Sequence, residues 1–94
     1  MNEMTYEEEL APHRAEINRL NAEIMDRLAE RVAEAVAIAG VKQRHGKPVV
    51  DPVRERAVLD GARKAAEARG LDPDGVERVF RAIIDLCVEA EEQK

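Results

Sequence analysis

Aromatic residues are almost missing from this sequence. Its 94 residues include one tyrosine, one phenylalanine and no tryptophan, whereas 37% are charged. The apolar residues do not alternate with polar ones as they would in strands, and alanine, glutamate, arginine, leucine and valine predominate. Such a composition is typical of helical proteins. We therefore predict an all-α fold, in a single domain over residues 1–94 because the length suffices for one domain.

Cysteine and long apolar runs are also scarce. The single cysteine, Cys87, excludes an intramolecular disulfide and suits a reducing cytoplasm. The acidic first ten residues do not resemble a signal peptide, and no apolar run approaches the ~20 residues that a membrane span needs. The net charge of −5 argues against a nucleic-acid partner. We predict a cytoplasmic protein with neither a membrane nor a nucleic-acid partner.

The first helix is predicted from apolar residues that recur three, four or seven positions apart, at Leu10, Ile17, Leu20, Ile24, Leu28, Val32, Ala35 and Ile38. Gly46 and Pro48 stop this helix near Arg44. Two starts stay open. A capping box of Thr5 and Glu8 favours a start at Thr5, whereas Pro12 favours one near Ala11, with residues 1–9 frayed.

Two shorter helices follow, each introduced by aspartate and proline as N-cap and first helical residue. The second helix is predicted over about Pro52–Arg69, closed by Gly70, and the third over about Pro73–Glu92. Their predicted inner faces are Val53, Ala57, Val58, Leu59, Ala62 and Ala65, and Val76, Val79, Phe80, Ile83, Ile84 and Cys87.

The length of the first helix predicts a second copy of the chain. A helix from residue 5 to residue 44 would measure ~60 Å, whereas a compact domain of this size has a radius of gyration of ~12 Å. Such a helix extends beyond what its own chain can cover. We therefore expect an obligate oligomer, most simply a two-fold homodimer.

Helical phase relates the basic residues of the first helix. Arg31 and Lys42 are eleven positions apart, so they point in directions within about 20° of each other. Arg14 lies seventeen positions before Arg31 and about 100° away. Within one straight helix Arg14 cannot serve the same pocket, but in an antiparallel dimer it can reach the pocket of the partner.

Further charged or polar residues lie near the helix ends. Asp51, Arg54 and Glu55 begin the second helix, and Cys87 and Glu91 are one turn apart near the end of the third. Taken singly, each has an ordinary explanation as an N-cap, a surface charge or a small core residue. His13 and His45 lack metal-ligand spacing, and no CxxC, HExxH, GxGxxG or P-loop pattern is present, so we predict no metal site.

Together these motifs resemble the all-helical, AroQ-type chorismate mutases. The first helix reads R-x-x-I-N-x-L-N from Arg14, then L-x-x-R ending at Arg31, then Lys42. D-x-x-R-E follows at residues 51–55, and V-E-R-V-F-R-A-I-I at residues 76–84. The resemblance covers about residues 10–91. It implies an intertwined homodimer with two shared active sites, and an isomerase that converts chorismate to prephenate without a cofactor.

The resemblance also implies roles for individual residues. Arg31 and the Arg14 of a second copy would bind the two substrate carboxylates, and Lys42 would donate to the ether oxygen. Glu55 would accept from the ring hydroxyl group. Catalytic residues are thus expected to be Arg31, Lys42, Glu55 and Glu91, and substrate-binding residues Arg14, Arg31, Lys42, Asp51, Arg54, Glu55, Cys87 and Glu91.

Three positions depart from the family pattern: Asn18 and Asn21, which replace the usual aspartates, and Cys87. Glu91 stands where many members have glutamine and some have glutamate. Cys87 stands where a small polar residue is frequent, and we expect it to remove a good hydrogen-bond partner. Three alternatives to chorismate mutase stay open: an aminodeoxychorismate mutase of specialised metabolism, an isochorismate pyruvate lyase, and a helical dimerisation module without catalytic activity.

Overall fold

The computed structural model describes residues 3–93, and within this range it contains three α-helices and no strand. Helix α1 spans Tyr6–Arg44, α2 spans Pro52–Ala68 and α3 spans Pro73–Glu92. These bounds confirm the predicted all-α class, with one long helix and two shorter ones. Nowhere in residues 3–93 is a helix both long enough and apolar enough to cross a membrane.

Helix α1 begins at the earlier of the two predicted positions. The Thr5 hydroxyl accepts a hydrogen bond from the Glu8 amide at 3.1 Å and donates one to Glu8 Oε1 at 3.0 Å. The helix then continues through Pro12, so the predicted start near Ala11 is wrong. Proline removes one backbone hydrogen bond, which the cap and three glutamates in the first turn offset. Residues 1 and 2 of the segment predicted to fray lie outside the described range.

Helices α1 and α2 both end at a glycine in the left-handed conformation. Gly46 has φ of +64° and Gly70 has φ of +70°, values that side chains with a Cβ atom rarely adopt. After α1, the Gly46 amide donates to the Gln43 carbonyl at 3.2 Å and the Lys47 amide donates to the Lys42 carbonyl at 2.9 Å. This pair of bonds is a Schellman motif, and it ends α1 directly after the basic residues of its last turn.

Aspartate side chains cap the starts of α2 and α3 as predicted. Asp51 Oδ1 accepts from the Arg54 amide at 3.1 Å, and Asp72 accepts from the amides of Asp74 and Gly75 at 3.3 and 3.1 Å. These bonds satisfy amides that have no partner within the helix. The first turn of α2 is thereby fixed close to the loop that follows α1.

The chain divides into two compact units, residues 1–30 and residues 31–94, which are described separately. In the described part of the first unit, residues 3–30, most apolar side chains of α1 are exposed. Ile17 and Ile24 are each 56% exposed, Leu20 is 38% exposed, and Leu10 and Leu28 are half-buried. This unit therefore presents an uncovered apolar stripe.

The second unit holds a small core of Ala35, Ala39, Leu59, Ala62, Ala66, Ile84 and Cys87. Helix α2 packs against α3, and Leu59 is the largest side chain that is almost completely buried. Ion pairs also join these two helices at the surface. Arg56 Nη2 lies 3.0 Å from Glu77 Oε1, and Arg63 Nη1 lies 2.8 Å from Asp74 Oδ1. The relative placement of α2 and α3 is thus set chiefly by apolar packing, to which these surface ion pairs add little.

The predicted inner faces were too wide for a single chain. Leu59, Ala62, Ile84 and Cys87 are buried as predicted, and Val58, Val76, Phe80 and Ile83 are half-buried. By contrast Val53, Ala57, Ala65 and Val79 are exposed, and Ala66 is buried in place of Ala65. The buried face of each helix is narrower than predicted because, within residues 3–93, α2 packs on α3, so only the side chains between these two helices are covered.

Candidate active site

A cavity of ≈ 290 Å³ lies within the unit of residues 31–94. Its walls come from the C-terminal turns of α1, the loop before α2, the first turns of α2 and the end of α3. It brings together residues from positions 31 to 91 of the chain. Seven of the eight residues predicted for the site line it: Arg31, Lys42, Asp51, Arg54, Glu55, Cys87 and Glu91.

Lys42 is held by the loop that follows its helix. Its Nζ donates to the Val49 carbonyl oxygen at 2.7 Å. An ammonium group has three N–H donors, so two stay available to a ligand. Arg31 and Lys42 line the same cavity, as their shared helical phase predicted. The role of the Val49 carbonyl was missed, because every residue has a backbone carbonyl and residue type therefore carries no indication of it.

Arg31 reaches across to α3. Its Nη1 donates to Cys87 Sγ at 3.0 Å, and this contact is partly buried. Cys87 was expected to replace a good hydrogen-bond partner, and its sulfur still accepts a bond from the guanidinium group. A thiol sulfur is a weak acceptor, and a guanidinium group has five N–H donors. Arg31 is thus oriented by Cys87 and keeps donors for a carboxylate group.

Glu55 is paired with an arginine that the sequence analysis missed. Glu55 Oε1 accepts from Arg81 Nη1 at 2.8 Å, and the Glu55 side chain is only 20% exposed. Arg81 lies on α3, twenty-six positions further along the chain, and it is not among the cavity-lining residues. Only the packing of α3 on α2 brings the two side chains together, so no local pattern in the sequence could indicate the pair.

Glu91 lies at the far end of α3 and is half-buried. Burial raises the pKa of its carboxyl group above the usual value, because a buried carboxylate loses hydration. The positive charges of Lys42 and Arg31 lower the pKa, and the negative charges of Glu55 and Glu92 raise it. The net direction is upward. The protonated form, which can donate a hydrogen bond, therefore persists to a higher pH than in a solvated glutamate.

The cavity has an apolar wall that the sequence analysis did not assign, formed by Ala35, Ile38, Val49, Val58, Ile84 and Val88. A further carboxyl group, that of Glu34, also lines the cavity. Glu34 lies three residues after Arg31, so the two are neighbours on the helix surface, and this spacing could have indicated it. The charged lining comprises three cations and four carboxyl groups: Arg31, Lys42 and Arg54, and Glu34, Asp51, Glu55 and Glu91. Among residues 3–93, no three or more His, Cys, Asp and Glu side chains group so as to hold a metal ion.

Arg14, the eighth predicted residue, belongs to the unit of residues 1–30. It is exposed, and its Nη1 lies 3.3 Å from Glu7 Oε2 on the same helix. Both side chains of this pair are mostly solvent-accessible, so the pair contributes little to stability. The participation of Arg14 in a site formed by two chains stays a prediction.

Residues 13–92 match the family described as chorismate mutase type II. The chain is 35% identical over 86 residues to the T-protein of Enterobacter agglomerans, and the match covers 92% of this chain and 23% of that protein. It is 35% identical over 85 residues to the 4-amino-4-deoxychorismate mutase of Streptomyces venezuelae, covering 89% of this chain and 82% of that enzyme. It is 31% identical over 78 residues to the chorismate mutase of Methanocaldococcus jannaschii, covering 83% of this chain and 79% of that enzyme.

The chain belongs to the chorismate mutase type II family. This confirms the family predicted from the sequence and, with it, the class of enzyme, an isomerase. The chain spans about a quarter of the T-protein, and most of the length of the other two relatives.

Proposed function

We propose that this chain is a chorismate mutase that converts chorismate to prephenate, acting in the cytoplasm as an intertwined homodimer in which residues 1–94 form one functional domain. The observation that carries the proposal is the cavity itself. It gathers Arg31, Lys42, Glu55 and Glu91 from three helices around a volume of ≈ 290 Å³, which apolar side chains also line. This arrangement suits a small anionic ring with one hydroxyl group.

Catalysis of this unimolecular rearrangement begins with conformation. The enolpyruvyl arm of chorismate has to be held over the ring, and arginine–carboxylate pairs with paired hydrogen bonds fix such a geometry well. Arg31, oriented by its bond to Cys87, would bind one substrate carboxylate. Arg14 of the partner subunit would bind the other. Asp51 would keep the first turn of α2 in place through its cap, and Arg54 would line the pocket beside it.

The second contribution is electrostatic. As the C–O bond breaks and the C–C bond forms, negative charge develops on the ether oxygen, and donors placed there stabilise the transition state more than the ground state. Lys42 and protonated Glu91 are the proposed donors. The upward shift in the pKa of Glu91 supports this role. Glu55 is the proposed acceptor for the ring hydroxyl group.

A second copy of the chain is the proposed cover for the apolar stripe of residues 6–30. Ile17, Leu20 and Ile24 follow one helical face and are exposed within the single chain. Burial of apolar surface stabilises association by about 25 cal/mol per Å². A partner helix on this face would also bring a second Arg14 towards a cavity, which is why dimerisation and activity are coupled in this proposal.

One observation favours a second candidate substrate, 4-amino-4-deoxychorismate. Four carboxyl groups line the cavity beside three cations, and an ammonium group on the ring would be attracted to them where a hydroxyl group would not. The Streptomyces venezuelae relative carries that activity in its name. The two substrates differ at the ring substituent that Glu55 is proposed to contact.

The test is to incubate the purified protein separately with chorismate, isochorismate and 4-amino-4-deoxychorismate, and to identify each product by mass spectrometry. Prephenate from chorismate, at a kcat/KM above that for the amino analogue, is the expected outcome. The Arg31→Ala variant serves as the control for contaminating activity, since it removes the proposed carboxylate clamp. Pyruvate release from isochorismate, or turnover of the amino compound alone, would overturn the assignment. No turnover of any substrate by a folded dimer would favour a dimerisation module.

A further inference from the structure

We propose that Arg81 is a positioning residue of this site, which acts on the substrate through Glu55. The inference rests on the proposed function, because it concerns the carboxylate assigned to the ring hydroxyl group. It starts from one contact between helices, in which Arg81 Nη1 on α3 donates to Glu55 Oε1 on α2 at 2.8 Å.

Because of this contact, the two carboxylate oxygens of Glu55 differ in their hydrogen bonding. Oε1 accepts from Arg81, whereas Oε2 takes no hydrogen bond from any other group in residues 3–93. Glu55 lines the cavity and Arg81 does not. A carboxylate anchored through one oxygen loses the rotational freedom that a solvated glutamate has, so its second oxygen can serve as an acceptor in a defined direction.

Charge supports the same conclusion. Glu55 is one of four carboxyl groups that line a cavity proposed to receive a dianion. An unbalanced negative charge there would repel the substrate. Arg81 neutralises Glu55 from outside the cavity, and Asp85 lies 3.9 Å from Arg81 on the following turn of α3. Loss of Arg81 should therefore weaken both substrate binding and turnover.

The surrounding ion pairs distinguish this role from simple helix pairing. Arg56 on α2 also bridges to α3, through Glu77 at 3.0 Å, but neither of these residues lines the cavity. Arg56 is 52% exposed and Arg81 is 45% exposed, so the two pairs are similar in solvation. Arg56→Met is therefore a matched control that removes an interhelical ion pair without touching Glu55.

The experiment measures kcat and KM with chorismate for the wild-type protein and for Arg81→Met, Arg81→Lys and Arg56→Met, with dimer content and unfolding followed for each. We expect Arg81→Met to lose about threefold to tenfold in kcat/KM, the factor that corresponds to one ordinary net hydrogen bond. Part of the loss should be a rise in KM. Arg81→Lys should recover part of the activity, and Arg56→Met should keep the wild-type kcat/KM. Arg81→Gln replaces Arg81→Met if the apolar side chain impairs folding.

A double-mutant cycle with Glu55→Ala decides whether Arg81 acts through Glu55. In the Glu55→Ala background, Arg81→Met should cost nothing further. An equal loss in both backgrounds, or wild-type kinetics in Arg81→Met, would overturn the role of Arg81 while leaving the proposed function intact. If the wild-type dimer converts neither chorismate nor its amino analogue, the proposed function is wrong and the role of Arg81 falls with it.

Discussion

Replacement of Glu91 by glutamine tests the proposed electrostatics directly. Only the protonated carboxyl group can donate to the ether oxygen, whereas a glutamine amide donates at every pH. The pKa of Glu91 is raised, chiefly by burial, so the active form extends further toward neutral pH than it would for a solvated side chain. The wild-type rate should nevertheless fall as the pH rises through that pKa, and the Glu91→Gln rate should not.

The size of the effect follows from the titration. Above the pKa of Glu91, the protonated fraction falls tenfold for each pH unit, and kcat/KM should fall with it. The decline should end at a plateau where Lys42 alone donates. Removing one donor of this kind costs about 10²–10³-fold, so the decline of the wild-type profile should span roughly two to three pH units. Glu91→Gln should stay near the upper level throughout and exceed the wild-type rate at neutral pH.

Two pH profiles should be measured for each protein, because they report the pKa of Glu91 in two different states. The profile of kcat/KM reports the pKa of Glu91 in the free protein, and that of kcat reports the pKa in the complex. A bound dianion should raise the second value above the first. Glu89→Gln is the control, because Glu89 is exposed on the same helix and does not line the cavity. Superimposable profiles for wild type and Glu91→Gln, with both proteins dimeric, would refute the donor role and leave Lys42 as the proposed donor.

Three further outcomes are expected. Glu55→Ala should lower kcat/KM with chorismate by about tenfold or more, since a charged hydrogen-bond partner is lost, without changing the dimer content measured by sedimentation. Mixing Arg14→Ala chains with Arg31→Ala chains should restore activity, because each heterodimer has one intact site; no recovery after confirmed subunit exchange would exclude shared sites. Ile24→Glu, which places a charge on the exposed stripe, should yield inactive monomers on sedimentation, and an active dimer would exclude this face as the interface.

Local chemistry made the fold largely predictable. Gly46 and Gly70 have the left-handed conformation that the stop signals required, and Asp51 and Asp72 cap the helices that they were expected to cap. Each of these features depends on a few consecutive residues. The start of α1 could not be decided in the same way. The cap at Thr5 and the proline at position 12 oppose each other, and only their balance sets the boundary.

The site was predictable to the extent that helical spacing and family motifs determine it. Arg31 and Lys42 share a phase, so both reach one cavity. The partners of these residues were not predictable from the motifs. The contact of Arg31 with the Cys87 sulfur depends on how α1 and α3 pack, and the contact of Lys42 with the Val49 carbonyl depends on the path of the loop after α1. Motifs thus indicate candidate site residues, and the loop and the packing of the helices decide their orientation.

The two bonds of Lys42 have a consequence for how this protein can change. Its carbonyl accepts from the Lys47 amide at 2.9 Å, and its Nζ donates to the Val49 carbonyl at 2.7 Å. Both partners lie in the same short loop, and both contacts use backbone groups of that loop. Substitutions there can alter side chains freely at most positions and leave these bonds intact. An insertion or deletion between Lys42 and Lys47 shifts both backbone partners at once, and one between Lys47 and Val49 shifts the second partner. The length of this loop, rather than its composition, therefore places the lysine.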